Sequence, residues 1–203
     1  MNRIRKILMM ESVVCPSWLY FSLNTILRRK IHNPEKILSL YVREGETVID
    51  LGCGPGFFIP GLAEAVGKTG KVFAVDIQKK AIDMIHKRIN RTVYEDIVTP
   101  ILSGGRSIPV KEKADFAFMF WMLHEVPDKK GVLHQLKSVM KPGALVLLVE
   151  PKIHVSKKTF MEEISIAESC GMEKVDSPGI SLSMTALFRI REDLSNKLKP
   201  DID

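Results

Sequence analysis

The segment Val48-Ile49-Asp50-Leu51-Gly52-Cys53-Gly54-Pro55-Gly56-Phe57 decides how this chain is read. An apolar run carrying a single acid leads into glycines at every second position. A short buried strand ending in glycines is a strand-to-helix turn, where backbone can approach a ligand because no Cβ intervenes. Upstream, Asn33-Pro34-Glu35 supplies a cap, a first-turn proline and an acid, and predicts a helix to about Tyr41. Downstream, Phe57 to Val66 has helical spacing, with Pro60 in the first turn and Gly67 as the stop.

Strands and helices then alternate along the chain. Lys71 to Asp76 reads as a strand, and Ile82, Ile85 and Ile89 mark one face of a helix. Val98 to Leu102 is a strand whose Pro100 predicts a sheet edge, where a missing N–H does no harm. Ala114 to Phe120 is nearly all apolar. Asp128 predicts the cap of a helix burying Val132, Leu136, Val139 and Met140, ended by Lys141-Pro142-Gly143. Ala144 to Val149 is the next strand, and Thr159 with Glu162 predicts a capping box on a helix stopping at Gly171. Strands near Met172 to Val175 and Ser183 to Ile190 complete the pattern. Continuous apolar strands alternating with helices predict an α/β fold, a parallel sheet covered on both faces.

Composition narrows the class. The chain has 203 residues, 45% hydrophobic and 27% charged, which excludes disorder, collagen and repeat arrays. The apolar stretch Val13 to Leu23 is interrupted by Pro16, Ser17 and Ser22, is too short to span a bilayer, and is followed by no small-residue cleavage site. A soluble, cytoplasmic protein is expected. Cys15, Cys53 and Cys170 are too widely spaced for a metal knuckle, and His32, His86 and His134 have no ligand partners at useful spacing, so no metal is implied. Residues 1–30 hold six basic groups against one acid, a net +5, while the whole chain is +6. The organisation expected is a basic helical arm or lid over 1–32, one domain over 33–192, and a polar tail over 193–203. The sequence assigns no oligomeric state.

The glycine loop carries the chemistry. Asp50 stands two residues before the first glycine, and Asp76 ends the next strand 20 residues after Gly56. An acid at that strand end can accept both ribose hydroxyls of a nucleoside. A dinucleotide site wants GxGxxG, with pyrophosphate at the helix N-terminus. Here the third glycine comes one residue early, and Asp50 would repel pyrophosphate while suiting an ammonium and a sulfonium. That charge logic favours S-adenosylmethionine over NAD.

The ordered segments VIDLGCGPGFF, KVFAVDIQ, FAFMFWMLHEV and MKPGALVLLVEP resemble successive motifs of the class I S-adenosylmethionine-dependent methyltransferases. The resemblance is strongest to the small single-domain branch that includes the ubiquinone/menaquinone-biosynthesis methyltransferases, and covers about residues 33–192. It implies a Rossmann-like seven-stranded sheet, mostly parallel with the last strand antiparallel, flanked by helices. It further implies that Gly52, Gly54 and Gly56 line the methionine part of the cofactor, that Asp50 holds its amino group, and that Asp76 binds the ribose. Ile77 would pack on the adenine, and Phe120 would line the pocket. Where such families often place an acid for the adenine amine, this chain reads Leu102-Ser103-Gly104-Gly105-Arg106, which leaves the backbone of Ser103 and Gly104 for that role.

His124 follows the fourth strand, where it can act as general base or simply cap the turn before Pro127. Cys53 suits packing within the loop better than reactivity. Trp18 and its apolar neighbours, followed by Arg28-Arg29-Lys30, suit a helix on a membrane surface, a lid over an apolar substrate, or a helix packed across the sheet. The expected reaction is direct in-line methyl transfer to a small, partly apolar metabolite. An RNA methyltransferase using the basic arm, or a cofactor-binding protein without catalysis, are the alternatives; nucleic acid is the weaker partner because the basic residues of the body are balanced by acids.

Overall fold

In the computed structural model, which describes residues 26–104 and 107–192, the strand leading into the glycines is β1 (Thr47–Leu51), and only its first residue is not buried. Two short helices, α1 (Ile26–Ile31) and α2 (Pro34–Leu38), precede it. Asn33 caps α2 as its sequence predicts, accepting the Lys36 N–H, although the helix ends at Leu38 rather than near Tyr41. Next come α3 (Ile59–Val66), β2 (Lys71–Asp76), α4 (Lys79–Ile89) and β3 (Val98–Leu102). Then follow β4 (Ala114–Phe120), a 3₁₀ turn (Leu123–Glu125), α5 (Lys129–Ser138), β5 (Met140–Pro151), α6 (Lys157–Ser169), β6 (Met172–Asp176) and β7 (Ser183–Ile190).

The seven strands form one sheet in the order β3-β2-β1-β4-β5-β7-β6. The pairs from β3 to β5 are parallel, and β7 runs antiparallel to both of its neighbours. Pro100 lies on the edge strand β3, as its missing donor requires. Two apolar clusters cover the sheet, one including Leu123, Leu133 and Ile164 and the other Phe58, Leu62 and Ile85. No helix among the described residues is long and apolar enough to cross a membrane.

Three local expectations are corrected. Lys141 to Gly143 do not end a helix; α5 stops at Ser138, and Met140 already pairs with Ala114 in the sheet. Its fully buried residues are Leu133 and Leu136, leaving Val132 half-buried. The cap of α6 is Ser156, whose hydroxyl accepts the Thr159 N–H, rather than Thr159 itself. Cys15, Trp18 and the tail from residue 193 lie outside the described residues.

Candidate active site at the carboxyl ends of the central strands

Strand order reverses between β1 and β4, and the crevice beyond their carboxyl ends is where an open α/β sheet takes a ligand. A cavity of about 450 Å³ occupies this position. Its walls include Asp50, Gly52, Gly54, Asp76, Ile77, Ser103, Phe120 and His124. Gly56 and Gly104 are not among them. A Cβ on Gly56 would stand 3.1 Å from both Ile59 and Ile85, so this glycine serves close packing of the loop against α3 and α4.

The loop conformation explains the other two glycines. Gly52 has φ +73°, and a Cβ there would come within 2.7 Å of Met122. Gly54 has φ +52°, and nothing lies within 4 Å of its Cβ position, leaving bare backbone open toward a ligand. The Gly54 N–H donates to Asp76 Oδ2 and the Gln78 N–H to Oδ1, each at 2.8 Å. Burial raises the Asp76 carboxyl, and these N–H groups act against that rise. Each oxygen keeps a second lone pair for a hydroxyl.

Asp50 is the deeper acid. It is 2% exposed, and its Oδ2 has no hydrogen-bond partner. Burial, then the nearby charge of Asp76, pushes its carboxyl up to about 7, against the pull of Arg28. A buried acid with an unsatisfied oxygen beside a cavity is matched by a ligand ammonium. Cys53 is buried within the loop, and its thiol is pushed up by that burial and by the two acids. At the far end, Ile77 is 52% exposed and offers an apolar surface. The Ser103 hydroxyl donates to the Ser107 carbonyl. Taken together, these residues fit S-adenosylmethionine: an acid for its amine, another for its ribose, an apolar platform for its base.

The opposite wall is aromatic and holds His124. Trp121 directly follows β4 with φ +60°, a conformation uncommon for a bulky residue and costly unless its surroundings impose it. Those constraints are visible: its N–H donates to Val149 in β5, and its indole N–H donates to Ser183 Oγ at 3.0 Å. His124 is held by Glu150, a fully buried acid of β5. Glu150 Oε1 accepts the His124 backbone N–H at 3.1 Å, and Oε2 accepts ring Nδ1–H at 2.5 Å. Burial alone would lower His124, but the hydrogen bond and charge of Glu150, with Glu125 and Glu163, outweigh it and raise the imidazole. Nε2 is left for other work, 3.9 Å from Glu125 Oε1.

Sequence reasoning missed four residues here. Arg28 of α1 lines the cavity, its guanidinium 4.4 Å from the Phe57 ring centroid and 5.5 Å from that of Phe120. His32, 1% exposed, donates to the Ser181 carbonyl at 2.8 Å and packs edge-on against Phe120 and Trp121. Burial lowers its pKa, despite the hydrogen bond to Ser181. Glu150 and Glu163 are the others. The available signal was an acid embedded in each apolar face, Glu150 ending LVLLVE and Glu163 inside α6. Among the described residues, no group of three or more His, Cys, Asp or Glu is placed to hold a metal ion.

This sheet order, with a glycine-loop crevice flanked by two acids, defines the class I S-adenosylmethionine-dependent methyltransferases, and S-adenosylmethionine is the cofactor of that class. Residues 43–189 match the family described as Methyltransferase domain, and the chain belongs to it. It is 31% identical over 135 residues to a demethylmenaquinone methyltransferase of Oceanobacillus iheyensis, covering 64% of this chain and 56% of that protein. A Bacillus velezensis protein of the same name is 29% identical over 136 residues, with 64% and 58% covered. The chain thus spans a little over half the length of these curated relatives. Among solved structures, a SAM-dependent methyltransferase from Aquifex aeolicus superposes with a TM-score of 0.80 at 26% identity, covering 87% of this chain and all of that one.

Proposed function

We propose that this protein transfers a methyl group from S-adenosylmethionine to a small, partly apolar acceptor of the quinone type, at a position that gives up a proton. The observation that carries this reading is a single cavity joining the glycine loop and its two acids to His124 and the Trp121 wall. Enclosure by apolar and aromatic groups with a few polar ones suits a small molecule. The name of the curated relatives supports a quinone-type ring.

When bound, S-adenosylmethionine supplies a methyl on a sulfonium, an electrophile that needs no further activation. The chain's residues then bind, orient and exclude water. Asp50 holds the amine, Arg28 faces the carboxylate, and Asp76 takes the ribose hydroxyls. Ile77 and Ser103 border the adenine, with Gly104 just beyond. Phe120 and Trp121 keep water from the reacting centre. His124 takes the acceptor's proton at Nε2 while Nδ1–H stays on Glu150. The positive charge of residues 1–30 suits an anionic or membrane-borne acceptor, and that segment is the expected membrane-surface contact.

Methyl-labelled cofactor is incubated separately with reduced naphthoquinones, a lipid extract and total RNA. Label is expected in the naphthoquinone arm. Label entering RNA alone would replace this reading with an RNA methyltransferase, and label entering none would leave a cofactor-binding protein.

A further inference from the structure

A second buried acid, beside Glu150, bears on His124 without touching the cavity. Glu163 of α6 is fully buried, lines no part of the cavity, and has no hydrogen-bond partner at either oxygen. Lys129, at the start of α5, brings its Nζ to 3.9 Å of Oε1, too far for a hydrogen bond. The oxygens of Glu150 are both engaged by His124. An ionised carboxylate with no donors, close to another carboxylate, is an expensive thing to bury without a neighbouring cation to balance it. Four elements thus bring together two buried acids, one lysine and one imidazole.

We propose that Glu163 is a positioning residue that sets the proton affinity of His124 as a buried counter-charge. This rests on the reading of His124 as the base. The groups facing the imidazole are Glu150 from β5, Glu163 from α6, Glu125 beside it, and Lys129 from α5 beyond Glu163. Glu162 also faces Glu163. With Glu163 ionised, a proton on Nε2 is compensated, so the proton leaving the acceptor has a stable place to go. With Glu163 protonated, the same imidazole is a weaker base. Burial and the charge of Glu150 push the Glu163 carboxyl up to about 7, so its charge changes near neutral pH.

The test is an NMR titration of the His124 ring in the full chain, without any acceptor, in wild type, Glu163→Gln and Lys129→Gln. Wild type should titrate over a broad range. Glu163→Gln should give one sharper step, displaced by about half a pH unit or more to lower pH, because a negative neighbour is gone. Lys129→Gln, at a partly exposed side chain, removes the cation that favours the ionised Glu163, so Glu163 keeps its proton to higher pH and the His124 step should again move to lower pH. It keeps the question answerable should Glu163→Gln fold poorly. The acid limb of methyl transfer to a reduced naphthoquinone should move with the ring titration, while the KM for S-adenosylmethionine stays within about twofold. A His124 titration identical in all three proteins overturns the proposal. Ring titrations that move while the rate profile does not would overturn the base reading of His124 and leave the proton coupling standing.

Discussion

The Gly54 N–H donates to the Asp76 carboxylate at 2.8 Å, so the acid ending β2 pins the tip of the loop that leaves β1. One side chain therefore shapes the glycine loop and lines the cavity, where the proposed reading has it take the ribose. Replacing Asp76 with Ala should weaken S-adenosylmethionine by roughly 1.5–3 kcal/mol, the usual cost of losing a charge-assisted contact. Calorimetry with S-adenosylmethionine and NAD reads this directly. Unchanged affinity would take Asp76 out of the site, and binding of NAD alone would overturn the cofactor assignment.

Asp50 links ligand binding to pH. Its carboxyl stands at about 7 in the folded protein against 3.8 as its ordinary value. The folded state therefore holds a proton that the unfolded chain has lost, and the resulting stability is full below about pH 4 and gone once pH passes 7. Asp50→Asn should raise the ligand-free protein's stability at pH 8 by up to roughly 4 kcal/mol and do little at pH 4. The same variant should bind S-adenosylmethionine more weakly at pH 8. Urea unfolding at the two pH values tests the first statement, and a variant less stable than wild type at pH 8 contradicts it.

Gly52 and Gly54 both have positive φ, but only Gly52 is crowded. Gly54→Ala should cost about 1–2 kcal/mol, the backbone penalty alone. Gly52→Ala adds a collision with Met122 and should cost more, on the order of 3 kcal/mol. Thermal unfolding of the two variants side by side would show the ranking. For cofactor affinity the expected outcome is a loss in both, since a methyl at either glycine intrudes on the cavity wall.

On the proposed reading Arg28, which lines the cavity beside Phe57, faces the amino-acid end of the ligand. Arg28→Gln should weaken S-adenosylmethionine about tenfold or more, in line with loss of a charged contact, and leave methylthioadenosine binding nearly unchanged. Equal losses for both ligands would mean that Arg28 supports the aromatic wall rather than the carboxylate.

His124→Ala should lower turnover by about 100-fold or more, the usual contribution of a positioned base, with calorimetric affinity for S-adenosylmethionine kept within about twofold. Full turnover in this variant would return His124 to the role of a turn residue.

What the sequence determined by itself follows from local periodicity. β1, β2 and β4 read directly because strands buried on both faces leave mostly apolar runs, and the loop reads because glycines at positive φ have few substitutes. Pro100 announced an edge strand for the same kind of reason. Asp50, Gly52, Gly54, Asp76, Ile77, Ser103, Phe120 and His124 are brought to one cavity because each sits at or just beyond the carboxyl end of one of the parallel strands.

Only the tertiary structure decided the rest. Lys141-Pro142-Gly143 resembles a helix stop, yet Met140 belongs to β5 because it pairs with Ala114, a partner 26 positions away. Gly56 carries the same local signal as its neighbours, but α3 and α4 claim it for packing. The Glu150–His124 contact depends on β5 lying beside β4, the cover of His32 depends on the Ser181 loop, and Arg28 reaches Phe57 from another element. Hydropathy encodes which face of a segment leaves water. It does not encode which charged side chain that face will meet, because the meeting is set by the order of strands in the sheet.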